Sequence, residues 1–358
     1  MKTTITKKRD KQIYKEENLF LLNDYKPVGE TVVVSVICLC FNHAKYLRRC
    51  FEGFLKQKVN FNVEILVHDD ASTDDSQKII REYERKYGNI FIGLFESYNQ
   101  YCKGINIETD IMSKHIKGKY VAFCEGDDYW DDPYKLFKQV KALENNSNIN
   151  FVVHKVKCVD LDGKLLRNIP NDINKTAVLD RKEIVPKIIE SYMFHTTSYF
   201  FKAIDYLHYC KNKPAFAKKM TVGDYPLQLY FSNLGKTLYI NECMSTHVDN
   251  VPDSWTRKMR TDNNELQEQH SINMIESLEL FDEYTNHEFH ESFNKRLDST
   301  TMHNLYKNKK YREILSNKKY SKLLKKYDYH SYITINLMVK HPKIYSALKR
   351  NKGTYDHE

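Results

Sequence analysis

A run of acidic residues directly follows a short apolar stretch near the middle of this 358-residue chain. The apolar stretch, residues 120–123, reads as a buried strand. Glu125, Asp127 and Asp128 come next, at the strand end where open α/β sheets bind their ligands. Carboxylates there could hold a divalent cation, Mg²⁺ or Mn²⁺, against a phosphorylated ligand. The following helix does not need them as caps, because Asp132-Pro133 offers an N-cap and a proline at the first helical position.

A second acidic cluster closes an earlier apolar run, residues 63–67. Residues 72–75, Ser-Thr-Asp-Asp, suit the cap and first turn of a following helix, so they have a structural explanation. Asp69 and Asp70 are not explained by capping. They could accept hydrogen bonds from a nucleobase or ribose, or they could be purely structural, and the residues alone leave both readings open.

The elements that must position these acids alternate along the chain. Apolar runs predict strands at residues 32–40, 63–67, 90–95 and 120–124, and helical spacing predicts helices at 43–57, 72–87 and 105–116. Further on, we expect helices at 133–143, 181–191 and 224–234, and strands at 150–159, 196–201 and 237–241. The β-α-β-α order predicts an α/β fold with a mixed, mostly parallel sheet flanked by helices.

Three regions follow from this pattern. Residues 1–30 are charged and without period and are interpreted as an N-terminal arm, 31–255 form the α/β domain, and 256–358 form a basic, helical C-terminal appendage. The sequence disfavours a Rossmann dinucleotide-binding domain and excludes a P-loop. The first strand leads into Phe41-Asn42-His43-Ala44 with no glycine fingerprint, and no GxxxxGK[ST] sequence occurs. A metal bridge to phosphate is the natural alternative.

Charge and cysteine content bear on location. Residues 301–358 hold fourteen Lys/Arg and four Asp/Glu, which accounts for the whole net charge of +9. Such a segment suits an anionic membrane surface or nucleic acid, or is simply a solvated helical face. The eight cysteines form no CxxC pair, and no apolar signal core follows the charged start, so we expect a cytoplasmic protein with free thiols. No apolar run approaches 18 residues, so we expect any membrane contact to be peripheral.

Three motifs, in this order, resemble family 2 glycosyltransferases of the GT-A fold. They are Val34-Ser35-Val36-Ile37 with Phe41-Asn42, then His68-Asp69-Asp70-Ala71-Ser72-Thr73-Asp74, then Glu125-Gly126-Asp127-Asp128-Tyr129-Trp130. Each follows a predicted strand, which is the context that gives such motifs weight. The resemblance covers about residues 31–255. It is closest to bacterial enzymes that build capsular, O-antigen or other surface polysaccharides.

The resemblance implies roles for the acids. Asp70, with Asp69 beside it, would contact the base of a nucleotide sugar, Asp127 the ribose and Asp128 the metal. Glu125 stands where the family usually has aspartate, so its role within the donor site stays open. Asp224 resembles the family's late acidic residue, the base that activates the acceptor, although an N-cap of the next helix is an equal explanation from the sequence.

Weaker matches lie around the acceptor side. Many members have glutamate where this chain has Gly223. The segment 195–198 matches a stretch near the acceptor, and His247 stands near the position of an arginine and a histidine that serve the diphosphate or the metal. Trp255 could flank the sugar, and 257–258 could meet the diphosphate, with packing and surface placement as the alternatives.

The sequence therefore predicts a metal-dependent, inverting, hexosyltransferase-like enzyme. It would move a sugar from a nucleoside diphosphate to an acceptor hydroxyl, on a lipid-linked surface glycan, with peripheral contact to the anionic inner membrane leaflet. Two alternatives are a nucleotidyltransferase and a non-catalytic protein of the same fold that binds glycan or nucleic acid. We do not expect nucleic acid as the partner.

Overall fold

The computed structural model describes residues 18–24, 29–252, 254–260 and 264–352. The strands are β1 (Phe20–Leu21), β2 (Val32–Cys40), β3 (Lys58–Val59), β4 (Asn62–Asp69), β5 (Phe91–Phe95), β6 (Tyr120–Phe123), β7 (Tyr129–Trp130), β8 (Ile149–Val159), β9 (Leu165–Ile169), β10 (Ala177–Leu179), β11 (Phe200–Lys202) and β12 (Lys236–Val248). The α-helices are α1 (Ala44–Leu55), α2 (Ser76–Lys86), α3 (Lys135–Asn145), α4 (Arg181–Glu190), α5 (Ala203–Lys211), α6 (Ala215–Lys219), α7 (Asp224–Leu234), α8 (Trp255–Arg260), α9 (Asn264–Tyr284), α10 (His290–Lys307), α11 (Tyr311–Ser316), α12 (Lys318–Tyr327), α13 (Tyr329–Lys340) and α14 (Pro342–Lys352).

One mixed sheet carries the site. Its strands lie in the order β10-β12-β8-β11-β6-β2-β4-β5, with β7 paired to β12 and β9 to β8. The half formed by β6, β2, β4 and β5 is parallel, as the alternating sequence predicts. Strand β11 then runs antiparallel to both β6 and β8 and joins the two halves. The predicted α/β class, with a mixed sheet and helices at the C-terminus, is confirmed.

The core forms where apolar faces meet. Strand β2 is buried over nearly its whole length, which suits a central parallel strand. Helix α1 places Leu47, Phe51 and Phe54 in the same core, at helical spacing. Phe54 meets the indole of Trp130 edge to face, with ring centroids 4.6 Å apart. The turn after β6 is thereby anchored to α1.

Two predicted elements differ in the structure. The helix expected at 105–116 is a π-turn, Ile107–Ile111, followed by a 3-10 turn, Met112–His115. Here the Asn106 side chain accepts the Thr109 amide, so side-chain capping sets the local backbone. The strand expected at 196–201 begins only at Phe200, because residues 196–198 form a 3-10 turn closed by bonds from Ser198 to the His195 carbonyl.

Other boundaries shift by a few residues. Helices α2 and α3 begin at Ser76 and Lys135, later than the predicted 72 and 133. Strand β12 is much longer than the predicted 237–241, since it pairs with β8 in parallel and with β7 in antiparallel register. This extension carries His247 to the turn that holds the acidic residues.

The described chain divides into two compact units. One holds the residues up to Ile188 together with Tyr192–Leu280, and the other holds Ile189–Ser191 and the residues from Phe281 onward. The second unit has its own small core of Met302, Ile314, Leu324 and Ile335. The predicted division at residue 255 stays a prediction.

The predicted N-terminal arm lies mostly outside the described residues, which exclude 1–17 and 25–28. The described part contacts the first unit. Strand β1 pairs with β3, and Leu22 is fully buried in the main core.

Helix α3 carries a buried lysine behind the acidic turn. Lys135 is fully buried, and its ammonium donates to the Gln139 amide oxygen (2.9 Å) and lies 4.1 Å from the centre of the Trp130 ring. Burial lowers the pKa of Lys135 to about 7. Gln139 in turn donates to the Ser198 carbonyl (3.0 Å). The helix after the acidic turn is thus tied to the segment that begins at His195.

Replacing Lys135 should flatten the pH dependence of stability. Between its folded pKa of about 7 and its ordinary value of about 10.4 the unfolded chain binds the extra proton, so this group makes the unfolding free energy rise with pH. In Lys135→Met, the unfolding free energy, measured with denaturant between pH 7.5 and 9, should rise less steeply with pH. The slope should be smaller by up to about 1.4 kcal/mol per pH unit. Lys141→Met, on the same helix, is the control; parallel wild-type and Lys135→Met curves would contradict the prediction.

Candidate active site

The turn after β6 buries one carboxylate among groups from distant strands. Asp128 is 1% exposed, and its Oδ1 accepts the Val248 amide (3.1 Å) and faces His247 Nδ1 (3.0 Å), both from β12. No described residue hydrogen-bonds to Oδ2, which is buried; His195 Nδ1 lies 3.7 Å away. An unpartnered oxygen on a buried carboxylate is costly, so this atom is poised for a ligand.

Two imidazoles complete this cluster. The rings of His195 and His247 lie 4.1 Å apart between centres, and one ligand atom from each lies within 4.8 Å of the others and of the Asp128 carboxylate. Burial lowers the pKa of His195 well below its usual range, so its ring is neutral, the form that binds metal. Burial also disfavours a charged His247, but the Asp128 carboxylate outweighs this effect and raises its pKa.

The cluster fits a divalent cation. An oxygen with no other partner and two imidazole nitrogens provide up to three ligands and leave positions for diphosphate oxygens. The nitrogens favour Mn²⁺ over Mg²⁺, which prefers oxygen ligands throughout. Asp128 and His247 are the two metal ligands predicted from the sequence, and the structure brings them together; His195 joins them.

The preceding residues of the turn are tightly packed. An ideal Cβ on Gly126 would lie 2.9 Å from His43 Nδ1, closer than real Cβ atoms come, and 3.1 Å from the Leu39 carbonyl oxygen, which is also unusually tight. Asp127, 7% exposed, has its Oδ2 3.7 Å from His43 Nε2. Glycine at 126 therefore lets the turn approach α1, with Asp127 at its edge.

The two acids at the end of β4 accept hydrogen bonds from the segments around them. Asp70 is buried, and its carboxylate accepts the amides of Gln100 (2.7 Å) and Tyr101 (3.1 Å). Asp69 Oδ2 accepts from the backbone and side chain of the 72–77 turn. Ala71, which follows these two acids, has φ +60°, a left-handed conformation that costs about 1–2 kcal/mol. Strain of this kind concentrates at functional sites.

Asp224 lies on a separate segment of the same unit. It is the first residue of α7, and its Oδ2 accepts from Tyr192 (2.9 Å) and from Thr196 (3.3 Å). Its Oδ1 accepts the amide of Tyr225 (2.7 Å), so capping of α7 involves only one of the two oxygens. Burial raises the pKa of Asp224 above that of an ordinary aspartate, which suits a proton acceptor.

Glu125 links the two groups of acids electrostatically. Burial raises its pKa well above that of an ordinary glutamate, and the charges of Asp127, Asp128 and Asp224 raise it further. Glu108, from the π-turn, is a further member, since burial and the charge of Asp224 raise its pKa. Both groups of acids therefore act on the same buried carboxyl, that of Glu125.

Glu108 also lies against Gly223. An ideal Cβ on Gly223 would meet both Glu108 carboxylate oxygens at 3.1 Å. Space left by the glycine is thus filled by a carboxylate from a different segment. Glu108, Tyr192 and His43 were not identified from the sequence, because none belongs to a motif and only tertiary packing brings them to the site.

Three residues of α8 were considered for the site from the sequence. Trp255 packs edge to face on His270, with ring centroids 5.4 Å apart. Arg257 and Lys258 lie on an exposed face of α8. The sugar and diphosphate roles considered for them stay predictions.

Comparison with known proteins shows which family the chain resembles. Residues 35–207, just under half of the chain, match the family model described as glycosyl transferase family 2. This segment is similar to family 2 glycosyltransferases. An uncharacterized protein of Mycobacterium tuberculosis is 34% identical over 156 residues, which is 42% of this chain and 44% of that protein. The glucosyltransferase WfaP of Escherichia coli, named for a UDP-Glc donor and an α-D-GlcNAc-diphosphoundecaprenol acceptor, is 32% identical over 112 residues, 31% of this chain and 41% of that enzyme.

The chain spans less than half of the length of these curated relatives. Among solved structures, TarS of S. aureus in complex with UDP-GlcNAc is 18% identical with a TM-score of 0.49, covering 71% of this chain and 73% of that one. The mannosyltransferase PcManGT of Pyrobaculum calidifontis, in complex with GDP-Man and Mn²⁺, is 17% identical with a TM-score of 0.47, covering 94% and 91%.

Removing the Asp128 carboxylate should weaken metal binding at this site. In Asp128→Ala, Mn²⁺ affinity in the presence of UDP or GDP should fall at least about tenfold, because the unpartnered oxygen is lost. Asp131→Ala is the matched control, since Asp131 accepts from Thr246 and lies outside the cluster. Calorimetric titration of Mn²⁺ measures both, and equal affinities would contradict the assignment.

Proposed function

We propose that this protein transfers a sugar from a nucleoside diphosphate to an acceptor hydroxyl, with inversion at the anomeric carbon. One observation carries the proposal: the unpartnered oxygen of Asp128 and the carboxyl of Asp224, whose pKa is raised by burial, belong to residues that both raise the pKa of the buried Glu125. The match to the family 2 model supports the same reaction class. The named acceptor of the E. coli relative supports a lipid-linked surface glycan as the acceptor.

The donor end is formed by the ends of β4 and β6. Asp70 uses two of the roughly four lone pairs of its carboxylate on backbone amides, which leaves others for an N–H of the base. Asp69 fixes the adjoining turn, and Asp127 at the edge is the candidate for the ribose hydroxyls. Asp128 and His247, with His195, would hold Mn²⁺ or Mg²⁺, which when bound neutralises charge on the departing diphosphate.

The acceptor end is formed by Asp224. The acceptor oxygen forms a bond to the anomeric carbon while the carbon–oxygen bond to the diphosphate breaks on the opposite face, and the acceptor proton passes to Asp224. Tyr192 and Thr196 orient the carboxylate through its Oδ2. Glu108, close to Asp224 and to Gly223, is placed to bind acceptor hydroxyls.

Loss of the Asp224 carboxylate should stop turnover and leave donor binding intact. Asp224→Asn keeps the shape of the site but cannot take the acceptor proton, so kcat should fall at least about 100-fold. Release of nucleoside diphosphate, followed across a panel of nucleotide sugars with Mn²⁺ and acceptor, measures it, and calorimetry checks donor affinity.

Asp180→Asn is the matched control, because Asp180 is an exposed aspartate that accepts an amide at the start of α4. Unchanged turnover in Asp224→Asn would reject the base assignment. Donor binding by the wild type with no release of nucleoside diphosphate would instead favour the non-catalytic alternative.

We further propose that the C-terminal helices contact an anionic membrane surface. No helix within the described ranges is both long and apolar enough to cross a bilayer. Helix α12 buries Leu324 and exposes Lys322, Lys325 and Lys326. Tyr327 and Tyr329, which follow, are 62% and 54% exposed, and tyrosine is a residue typical of membrane interfaces. The cytoplasmic location stays a prediction.

Charge reversal on α12 should weaken vesicle binding. With about 1 kcal/mol for each lysine near the surface, changing Lys322, Lys325 and Lys326 to Glu should weaken binding to phosphatidylserine vesicles by about 100-fold or more at low salt. Changing the exposed Lys78, Lys86 and Lys182 to Glu is the control of equal charge. Vesicle co-sedimentation that falls equally in both variants would refute the assignment to α12.

A further inference from the structure

A second cluster of ligand-type side chains lies far along the sequence from the acidic turn. Asp282, near the end of α9, has its Oδ2 2.7 Å from His287 Nδ1 and 2.7 Å from His290 Nδ1. All three residues belong to the second unit. Two histidines converging on one carboxylate oxygen are a donor set that binds metal ions of the zinc type.

One oxygen of the Asp282 carboxylate is available for a further ligand. Asp282 is 5% exposed, and within the described chain nothing hydrogen-bonds to its buried Oδ1. Hydrogen bonds from the two imidazoles would account for Oδ2 alone and would leave Oδ1 without compensation. A bound cation would satisfy a carboxylate that is otherwise only half satisfied.

The backbone brings the first histidine into place. The helix ends in a Schellman-type turn, in which the His287 amide donates to the Asp282 carbonyl (2.8 Å) and the Asn286 amide to the Glu283 carbonyl (2.9 Å). Asn286 and His287 both have positive φ, +51° and +61°. The turn directs the His287 ring back over Asp282, and the first residue of α10 supplies the second ring.

The rings can change from hydrogen-bond donors to ligands. At 2.7 Å each Nδ1 is placed to donate to the carboxylate, but a neutral imidazole can carry its proton on Nε2 and offer the Nδ1 lone pair instead. Three ligands at about 2.0–2.2 Å from a tetrahedral cation lie about 3.3 Å from one another. The side chains of His287 and His290 are 64% and 55% exposed, so their rings are free to rotate slightly. Such rotations can widen the spacing between each Nδ1 and the carboxylate oxygen from 2.7 Å to about 3.3 Å.

We propose that Asp282, His287 and His290 bind a divalent cation of the zinc type, with water at the remaining position. The cation would clamp the end of α9 to the start of α10. The two imidazoles distinguish this site from one for Ca²⁺ or Mg²⁺, which take oxygen ligands. This site is independent of the proposed sugar transfer, because none of its residues belongs to the cluster of Asp128, His195 and His247.

Zn²⁺ titration of the full chain tests the site. The double variant His287→Gln/His290→Gln keeps an N–H donor at each position but removes both imidazole ligands. It should bind one Zn²⁺ fewer than the wild type by equilibrium dialysis, and each single variant should weaken that site at least about tenfold. His303→Gln, an exposed histidine of α10, is the control and should leave the stoichiometry unchanged.

Thermal unfolding separates this site from a hydrogen-bonded turn. Zn²⁺ should raise the unfolding midpoint of the wild type more than that of the double variant, because ligand bound to the folded state stabilises it. Mn²⁺-dependent nucleotide binding should be the same in both, which also shows that the variant folds. If the double variant fails to fold, the single variants carry the stoichiometry test. Equal Zn²⁺ stoichiometry and affinity in wild type and variants would overturn the proposal.

Discussion

The burial of one carboxylate, that of Asp128, is the constraint on which the rest of the site depends. A charged carboxylate removed from water must be compensated, and here the compensation comes from β12, through the Val248 amide and His247. To supply it, β12 pairs with β7 at Ser245 and Thr246 while it still pairs with β8. The register between β8 and β12 shifts at Ile240 and again at Cys243 to allow both pairings.

The other acids of the site are affected by burial in the same way. Burial raises the pKa values of Glu108, Glu125, Asp128 and Asp224. For the first three of these, the charges of neighbouring acids raise the pKa further. A protein gains nothing in stability from such a group of carboxyls. Their arrangement makes sense for a site that receives a cation at one end and a proton at the other.

A second layer supports the cluster from behind. Lys135 lies against the Trp130 ring and donates to Gln139, which holds the Ser198 carbonyl at the end of the turn that begins with His195. The helix that follows the acidic turn therefore also fixes the histidine that faces the same carboxylate. Groups behind a ligand shell orient the ligands in this way, and a shift of one would move the others.

Local sequence patterns were sufficient to predict the parallel half of the sheet and the acids at its edge. Buried parallel strands are continuous apolar runs, and the acids that end β4 and β6 are adjacent in sequence to those runs, so local pattern was enough. The partners of these acids were decided by tertiary structure. His195, Tyr192 and Glu108 come from segments whose local pattern was misleading or silent; residues 105–116 even had the spacing of an α-helix, which side-chain capping by Asn106 prevented. The contact between His247 and Asp128 spans 119 positions and depends on bulges in β12, which no local pattern encodes. Local pattern thus determined which acids end the strands, and long-range packing decided which groups face them.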